Sequence, residues 1–341
     1  MSDKPIAVDP DYVIARNTYQ PDDFESETTS LSSTVYRGVI ENGRRYQALK
    51  EGEYWGPADE QQFESYEAGH LVYVLLDSER QNPLFHSPVK NPKHVLDMGT
   101  GRGSWAIDVA DIFPDATVRG VDLFPPPEKW LPPNCVMEVD DVLQDWTWRE
   151  PFDLIHIRQL MGSFTDKEWE KVYKSCYDNL EPGGWVEQLE GNPRVRCDDD
   201  SVPDNNSPFV LGDEACKAAD NWGRRITVAD TMKESLERAG FVDVHEKTYK
   251  WPIGAWAKDP ILKEAGRLHY HQWVSGMEGW SMFFLTKYGL PQPWSNEEVQ
   301  VLLAKTRTEI QDPRVHVYQV ARRVWARKPL PDEGSPRKTN E

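Results

Sequence analysis

The stretch Asp97-Met98-Gly99-Thr100-Gly101-Arg102-Gly103-Ser104 constrains this 341-residue chain more than any other feature. It follows a short apolar run, His94 to Met98, and precedes a helical pattern from Ser104 to Phe113. Three glycines at alternate positions allow a tight turn and a close backbone approach to a ligand, with the first amides of the helix pointing into the site. Asp122 ends the next strand-like run 21 residues after Gly101, where a carboxylate can take the hydroxyls of a ribose. Strand, turn, helix and acid together imply a nucleoside-bearing ligand. A glycine-rich turn kept for packing is the plain alternative.

Around this loop, strand-like and helix-like runs alternate, the pattern of a mostly parallel sheet flanked by helices. Strands are expected at 94–98, 117–122, 135–139, 152–157, 184–189, 241–249 and 315–327. Helices are expected at 58–80, 104–113, 165–180 and 227–239, followed by a helical block at 258–311. Thr165 with Glu168, and Ser295 with Glu298, have capping-box spacing. Gly191 to Asp213 is acidic, proline-rich and without period, so it reads as a lid or rim loop, or as a solvated excursion. Glu25 to Thr34 is polar throughout and reads as a mobile arm or a segment that orders on a partner, and the tail from Pro331 as loose.

Composition removes several classes of function. With 57 acidic against 39 basic side chains, the net charge of −18 repels phosphate backbones and anionic membranes, so nucleic acid is not expected as a partner. No run of about 18 apolar residues is present to span a membrane, and the first residues lack a signal-peptide pattern. Cys135, Cys176, Cys197 and Cys216 are widely spaced, with no pairing for zinc and too few for a disulfide framework, so no metal is expected. An intracellular home, cytoplasmic or nuclear, follows as the expectation. Hydrolase and zinc-protease motifs are missing.

The ligand is narrowed by two residues. A nicotinamide site uses G-x-G-x-x-G, but Ser104 stands where the third glycine belongs, and the carboxylate of Asp97 is awkward beside a pyrophosphate. The same carboxylate suits the ammonium group of S-adenosyl-L-methionine. Asp140-Asp141-Val142, after the third strand, offers an acceptor for an adenine amino group and an apolar wall for its ring. A nicotinamide-dependent oxidoreductase is the weaker alternative.

With those residues in place, the chain resembles the class I methyltransferases, and more narrowly the LaeA-like fungal methyltransferases. The resemblance runs through Ser26-Glu27-Thr28-Thr29-Ser30, Glu41-Asn42-Gly43-Arg44-Arg45-Tyr46 and Glu51-Gly52-Glu53-Tyr54-Trp55-Gly56-Pro57. It continues through the glycine loop, Phe152 to Arg158, Pro182-Gly183-Gly184-Trp185-Val186-Glu187, Trp251-Pro252-Ile253-Gly254 and Arg327-Lys328-Pro329. It implies a Rossmann-like α/β fold whose seven-stranded sheet has an antiparallel last strand. It also implies cofactor roles for Asp97, Gly99, Gly101 and Gly103 on the loop, Asp122 with Leu123 at the ribose, Asp140, Asp141 and Val142 at the adenine, and Arg158 with Gln159 facing the cofactor. Arg102 replaces the Thr or Gly usual at its position. The expected organisation is an arm and helical lid at 1–92, the cofactor-binding core at 93–257, a helical cap over the substrate at 258–312, the final strand at 313–330 and a loose tail at 331–341.

A sulfonium is a cation with a reactive methyl, so Tyr46, Tyr54 and Trp55 are candidates for aromatic faces in a cover that excludes water; packing against the helix at 58–80 is the rival reading. Methyl transfer needs a general base only for some acceptors. His156, Glu187, His269 and His271 are the catalytic candidates, with structural or surface roles as the alternatives. The expected activity is methylation of a small molecule in fungal secondary metabolism. The rival is a LaeA-like regulatory protein that binds the cofactor and partner proteins, methylating protein or turning over poorly.

Overall fold

The computed structural model of the protein describes residues 37–333 except 129, 200 and 204. The Ser/Thr-rich arm, with its Ser26 to Ser30 motif, and the end of the tail lie outside the described residues. The chain enters through a hairpin of β1 (Val39–Glu41) and β2 (Arg44–Tyr46). Its turn, Asn42-Gly43, has φ of 51° and 75°, the left-handed pair that suits the twist of a two-residue hairpin. Arg44 forks onto Asp59 through Nε and Nη2 at 2.6 and 2.7 Å. Asp59 in turn caps helix α1 (Glu60–Leu76) by accepting from the Gln62 amide, so one carboxylate ties the hairpin to the helix start.

Seven strands follow: β3 (His94–Met98), β4 (Thr117–Asp122), β5 (Cys135–Val139), β6 (Phe152–Arg158), β7 (Leu180–Cys197), β8 (Val242–Pro252) and β9 (Val317–Arg327). They lie in the order β5-β4-β3-β6-β7-β9-β8, with β9 antiparallel to both neighbours and β3 to β7 parallel. This is the expected seven-stranded sheet with a reversed last strand. Central strands read as near-continuous apolar runs because helices cover both faces. Leu96, Met98, Leu154, Ile155, Ile157 and Val186 are fully enclosed.

The helices around the sheet are α2 (Ser104–Ile112), α3 (Asp166–Asn179), α4 (Ser207–Trp222), α5 (Met232–Arg238), α6 (Pro260–Tyr288) and α7 (Asn296–Gln311). Both anticipated capping boxes are formed, at α3 and α7. Helix α6 lies against α1 at glycines: a Cβ on Gly69 would come within 2.7 Å of Gln272 Nε2, and one on Gly276 would collide with Ser65 Oγ. Trp273, Met277, Phe283 and Phe284 of α6 join α4 and α7 in a second core beside the sheet's carboxyl edge. Among the described residues no helix is long and apolar enough to cross a membrane.

The expectation for 191–213 is corrected by the structure. Its first residues continue β7 to Cys197 after a register shift between Gly191 and Val195, and its last ones begin α4 at Ser207. The buried stripe Leu211, Ala215, Ala218 and Ala219 carries a helical period that starts inside the polar stretch. The helix expected at 227–239 is split into a 3-10 turn, Val228–Asp230, and α5. Strand β7 is also far longer than expected, since β9 pairs along most of its length.

Candidate active site

The three glycines of the loop all have positive φ: 69° at Gly99, 59° at Gly101 and 93° at Gly103. Gly103 is the N-cap of α2, where a Cβ would meet Met137 Cε at 2.5 Å. Gly99 and Gly101 line a cavity of about 200 Å³ above the carboxyl ends of the strands. Asp97 lies beneath the loop, off the cavity wall. It accepts from Thr100 Oγ1 at 2.7 Å through one oxygen and pairs with His156 Nδ1 at 2.8 Å through the other. His156 is buried flat against Trp105, with ring centroids 3.7 Å apart, and burial pulls its pKa down. This pair braces the loop from behind.

Asp122 faces the cavity and holds the loop from the side. Its Oδ2 accepts from the Gly101 amide at 2.8 Å and its Oδ1 from the Phe124 amide at 3.2 Å; burial pushes its carboxyl above the ordinary range. Leu123, Asp140, Asp141 and Val142 continue the same wall. Asp141 is bound by Lys50 Nζ at 2.9 Å, a lysine contributed by the segment that follows the hairpin. Arg102 turns outward to Glu60 at 3.0 Å, away from the cavity.

The hairpin segment closes the opposite side. Tyr54 and Trp55 line the cavity. The Tyr54 and Tyr66 hydroxyls are 3.1 Å apart, and the Trp55 indole N–H donates to Met161 O at 2.8 Å. Glu53 meets Arg224 at 3.5 Å. Tyr46 is buried in β2, off the cavity, with its backbone bridged to Pro57 and its phenol pushed up to about 12 by burial. It supports the cover from outside.

The far end of the cavity is aromatic and carboxamide-lined. Trp251, Trp273, Trp280 and Phe284 form its apolar wall, with Gln272 and Gln319 between them. Gln319 is fixed: its oxygen accepts from Trp273 Nε1 at 3.0 Å and its nitrogen donates to Asn192 O at 3.0 Å. His269 lies on this wall, with its ring nitrogens 3.0 Å from Pro252 O and 2.9 Å from Gln319 Oε1, and burial pulls its pKa down to about 4. Both oxygens accept, so the neutral ring donates to one of them, and both nitrogens lie against protein oxygens.

Arg158 and Gln159, at the end of β6, join the two halves of the cavity. Gln159 has a φ of 56° and donates to the Tyr73 hydroxyl. Glu187 lies elsewhere, buried beneath the sheet edge. It accepts from the His86 and Ser87 amides, from Ser87 Oγ at 2.7 Å and from Arg323 at 2.5 Å. His271 is exposed on α6 and does not reach the cavity.

Several residues of the site escaped the sequence reading. Tyr66 and Tyr73, seven apart on α1, share a helix face, a signal that was present in the periodicity. Lys50, Gln272 and Gln319 had no local signal. Glu190 had none either: on β7, behind the cavity and off its lining, it is fully buried, accepts from the Leu160 and Met161 amides at 3.1 and 3.2 Å, and is pushed up to about 7 by burial.

A family model described as a methyltransferase domain matches residues 75–246. The chain belongs to the methyltransferase family. It is 35% identical to the methyltransferase pytC of Aspergillus terreus, over 86% of this chain and 89% of that protein. It is 31% identical to the secondary metabolism regulator LAE1 of Cochliobolus heterostrophus, over 85% of this chain and 94% of that one. Among solved structures it is similar to phosphoethanolamine N-methyltransferase 2 of Haemonchus contortus in complex with S-adenosyl-L-methionine, at 19% identity and a TM-score of 0.41, covering 71% of this chain and 50% of that chain.

S-adenosyl-L-methionine is the cofactor that the sequence resemblance implies for this methyltransferase. The cavity's donor set fits it: a glycine loop without side chains at the two positions facing the cavity, a buried carboxylate in Asp122, and aromatic faces at Tyr54, Trp55 and Tyr66 suited to a cation. When bound, it supplies an electrophilic methyl group.

Proposed function

We propose that the chain methylates a small-molecule acceptor bound between the carboxyl edge of the sheet and α6, in fungal secondary metabolism. One observation carries this reading: a single cavity runs from Gly99 and Gly101 to the aromatic wall of α6, so donor and acceptor sites share one continuous space. In this reading Asp122 and Leu123 hold the ribose, Asp140, Asp141 and Val142 the adenine, and Asp97 and Gly103 support the loop that carries them.

Displacement at a methyl carbon gains most from holding the partners in line, an effect worth up to roughly 7–11 kcal/mol. This chain supplies that alignment with rigid parts. The Trp273 indole locks the Gln319 carboxamide, and Trp251 packs edge-on against Tyr73 with centroids 4.6 Å apart, so the acceptor wall has little freedom. Tyr54 and Trp55 cover the donor end and keep water from the reacting atoms. His269 sets the position of Gln319 and takes no proton from the acceptor.

The likeness to a secondary metabolism regulator supports a second reading, in which the acceptor is a protein or turnover is slow and binding is what matters. Transfer of labelled methyl into fungal extract, separated into small-molecule and protein fractions, decides between them. Label in the small-molecule fraction is expected. Label confined to protein, or absent from both fractions, overturns the small-molecule reading.

A further inference from the structure

Arg158 is a half-buried cation at the cavity wall. Its guanidinium lines the cavity, and among the described residues no carboxylate forms an ion pair with it. Nη1 donates to His70 Nδ1 at 3.0 Å, and the guanidinium lies 5.2 Å from the centre of the Tyr73 ring. The two acids whose charge reaches it through space, Asp97 and Glu67, are committed elsewhere. Asp97 holds Thr100 and His156, and Glu67 accepts from the Ser104 hydroxyl.

The contact with His70 defines that histidine's tautomer. An arginine can only donate, so Nδ1 must accept and Nε2 must carry the hydrogen. That N–H points to Asp108 Oδ2 at 2.9 Å. Asp108, His70 and Arg158 thus form a relay from the half-exposed side of α2, through α1, to the cavity. The relay orients the guanidinium through a neutral ring and leaves its positive charge unspent. A charge held partly out of water without a partner is costly, and a guanidinium matches a carboxylate in a two-pronged fork.

We propose that Arg158 receives a carboxylate of the ligand, with His70 and Asp108 as the residues that position it. The inference rests on the cavity being the methyl donor's site. The carboxylate has two sources within that site, the amino-acid end of the donor or an acidic group on the acceptor.

Calorimetry on the full chain separates them. Three proteins are compared, wild type, Arg158→Met and Arg158→Lys, with S-adenosylmethionine, its decarboxylated analogue and, with S-adenosylhomocysteine present, 2-naphthoate against the neutral 2-naphthamide. If the donor supplies the group, Arg158→Met weakens S-adenosylmethionine about 10- to 100-fold and leaves the decarboxylated analogue within twofold. If the acceptor supplies it, donor affinity holds and the preference for naphthoate over naphthamide disappears. Arg158→Lys keeps the charge, loses the fork and lies between the two. His70→Leu reproduces the loss of carboxylate preference, and His70→Asn, whose Oδ1 replaces the accepting Nδ1, restores it. Equal weakening of the charged and decarboxylated donors, or no change with any ligand, overturns the proposal. Failure of the wild type to bind S-adenosylmethionine overturns the cavity assignment instead. Thermal melts of each variant confirm that the folded protein is being measured.

Discussion

Two arginines, Arg158 at the cavity wall and Arg323 in the core, are held under opposite conditions. Arg323, on β9, is matched by two acids: Nη1 bonds Glu187 at 2.5 Å and Nη2 meets Asp77 at 3.2 Å. Asp77 also accepts from Tyr249 OH at 2.8 Å and pairs with His86 and Lys247. The cluster ties the end of α1 to β7, β8 and β9, and none of its members lines the cavity. Arg158 lines the cavity and has a neutral histidine and a tyrosine ring for company. Where acids are matched to a buried cation, the charge holds elements together. Where they are missing, the charge is available to a ligand.

The largest expected effect separates the two by stability. Arg323→Met leaves Glu187 and Asp77 buried without their cation and should cost about 3–5 kcal/mol in urea denaturation. Arg158→Met strands no carboxylate and should change stability by less than about 1 kcal/mol. Equal losses in the two variants would erase the distinction.

Acids sharpen the same contrast through pH. Glu187 and Asp77 are held below the ordinary range by Arg323 and its neighbours despite burial, so their contribution is present above the unfolded pKa and is lost on acidification. Glu190, raised by burial from 4.5 to about 7, behaves in the opposite sense. Its contribution is complete below pH 4.5 and is lost as pH rises through 7, a decline of about 3 kcal/mol from the pKa difference. The gap between the midpoints of the wild type and Glu190→Gln should therefore widen from pH 5 to 8, a comparison in which the opposing titration of the buried His156 and His269 cancels. A slope unaltered by that substitution would remove Glu190 from the account.

At the proposed donor end, Asp122→Ala removes the acceptor for the Gly101 amide and the acid proposed to hold the ribose. Calorimetry should show S-adenosylmethionine weakened about 10- to 100-fold, the loss expected for charge-assisted hydrogen bonds. An unchanged affinity counts against the ribose assignment. The smallest effect belongs to the cover. Lys50→Met breaks a largely screened pair with Asp141, worth about 0.2–1 kcal/mol. Hydrogen exchange across Tyr46 to Trp55 should rise modestly in the free protein, and cofactor should protect the same residues. Identical exchange with and without cofactor would remove the segment's role as a lid.

The sheet and the glycine loop were legible in the sequence because their signals are local. Each depends on residues within a few positions: the apolar run of β3, the positive φ required at Gly99 and Gly101, and the Thr165–Glu168 and Ser295–Glu298 caps. The Asn42-Gly43 hairpin was equally local and went unread, as did the period of α4, which begins inside a polar, proline-rich stretch. Glu187 was different. A glutamate at a strand end suits a substrate as well as a salt bridge, and its partner Arg323 is 136 residues away.

Residue spacing along the chain was enough to determine the sheet's general class and the tight glycine turn between β3 and α2, since backbone geometry dictates both. Whether a cation's charge is spent was decided only by packing. His70 reaches Arg158 across 88 residues, and Asp108 reaches His70 across 38, from helices that the linear pattern does not bring together. Charge compensation depends on separations of a few ångströms in a medium that screens poorly, and only the folded chain sets those distances.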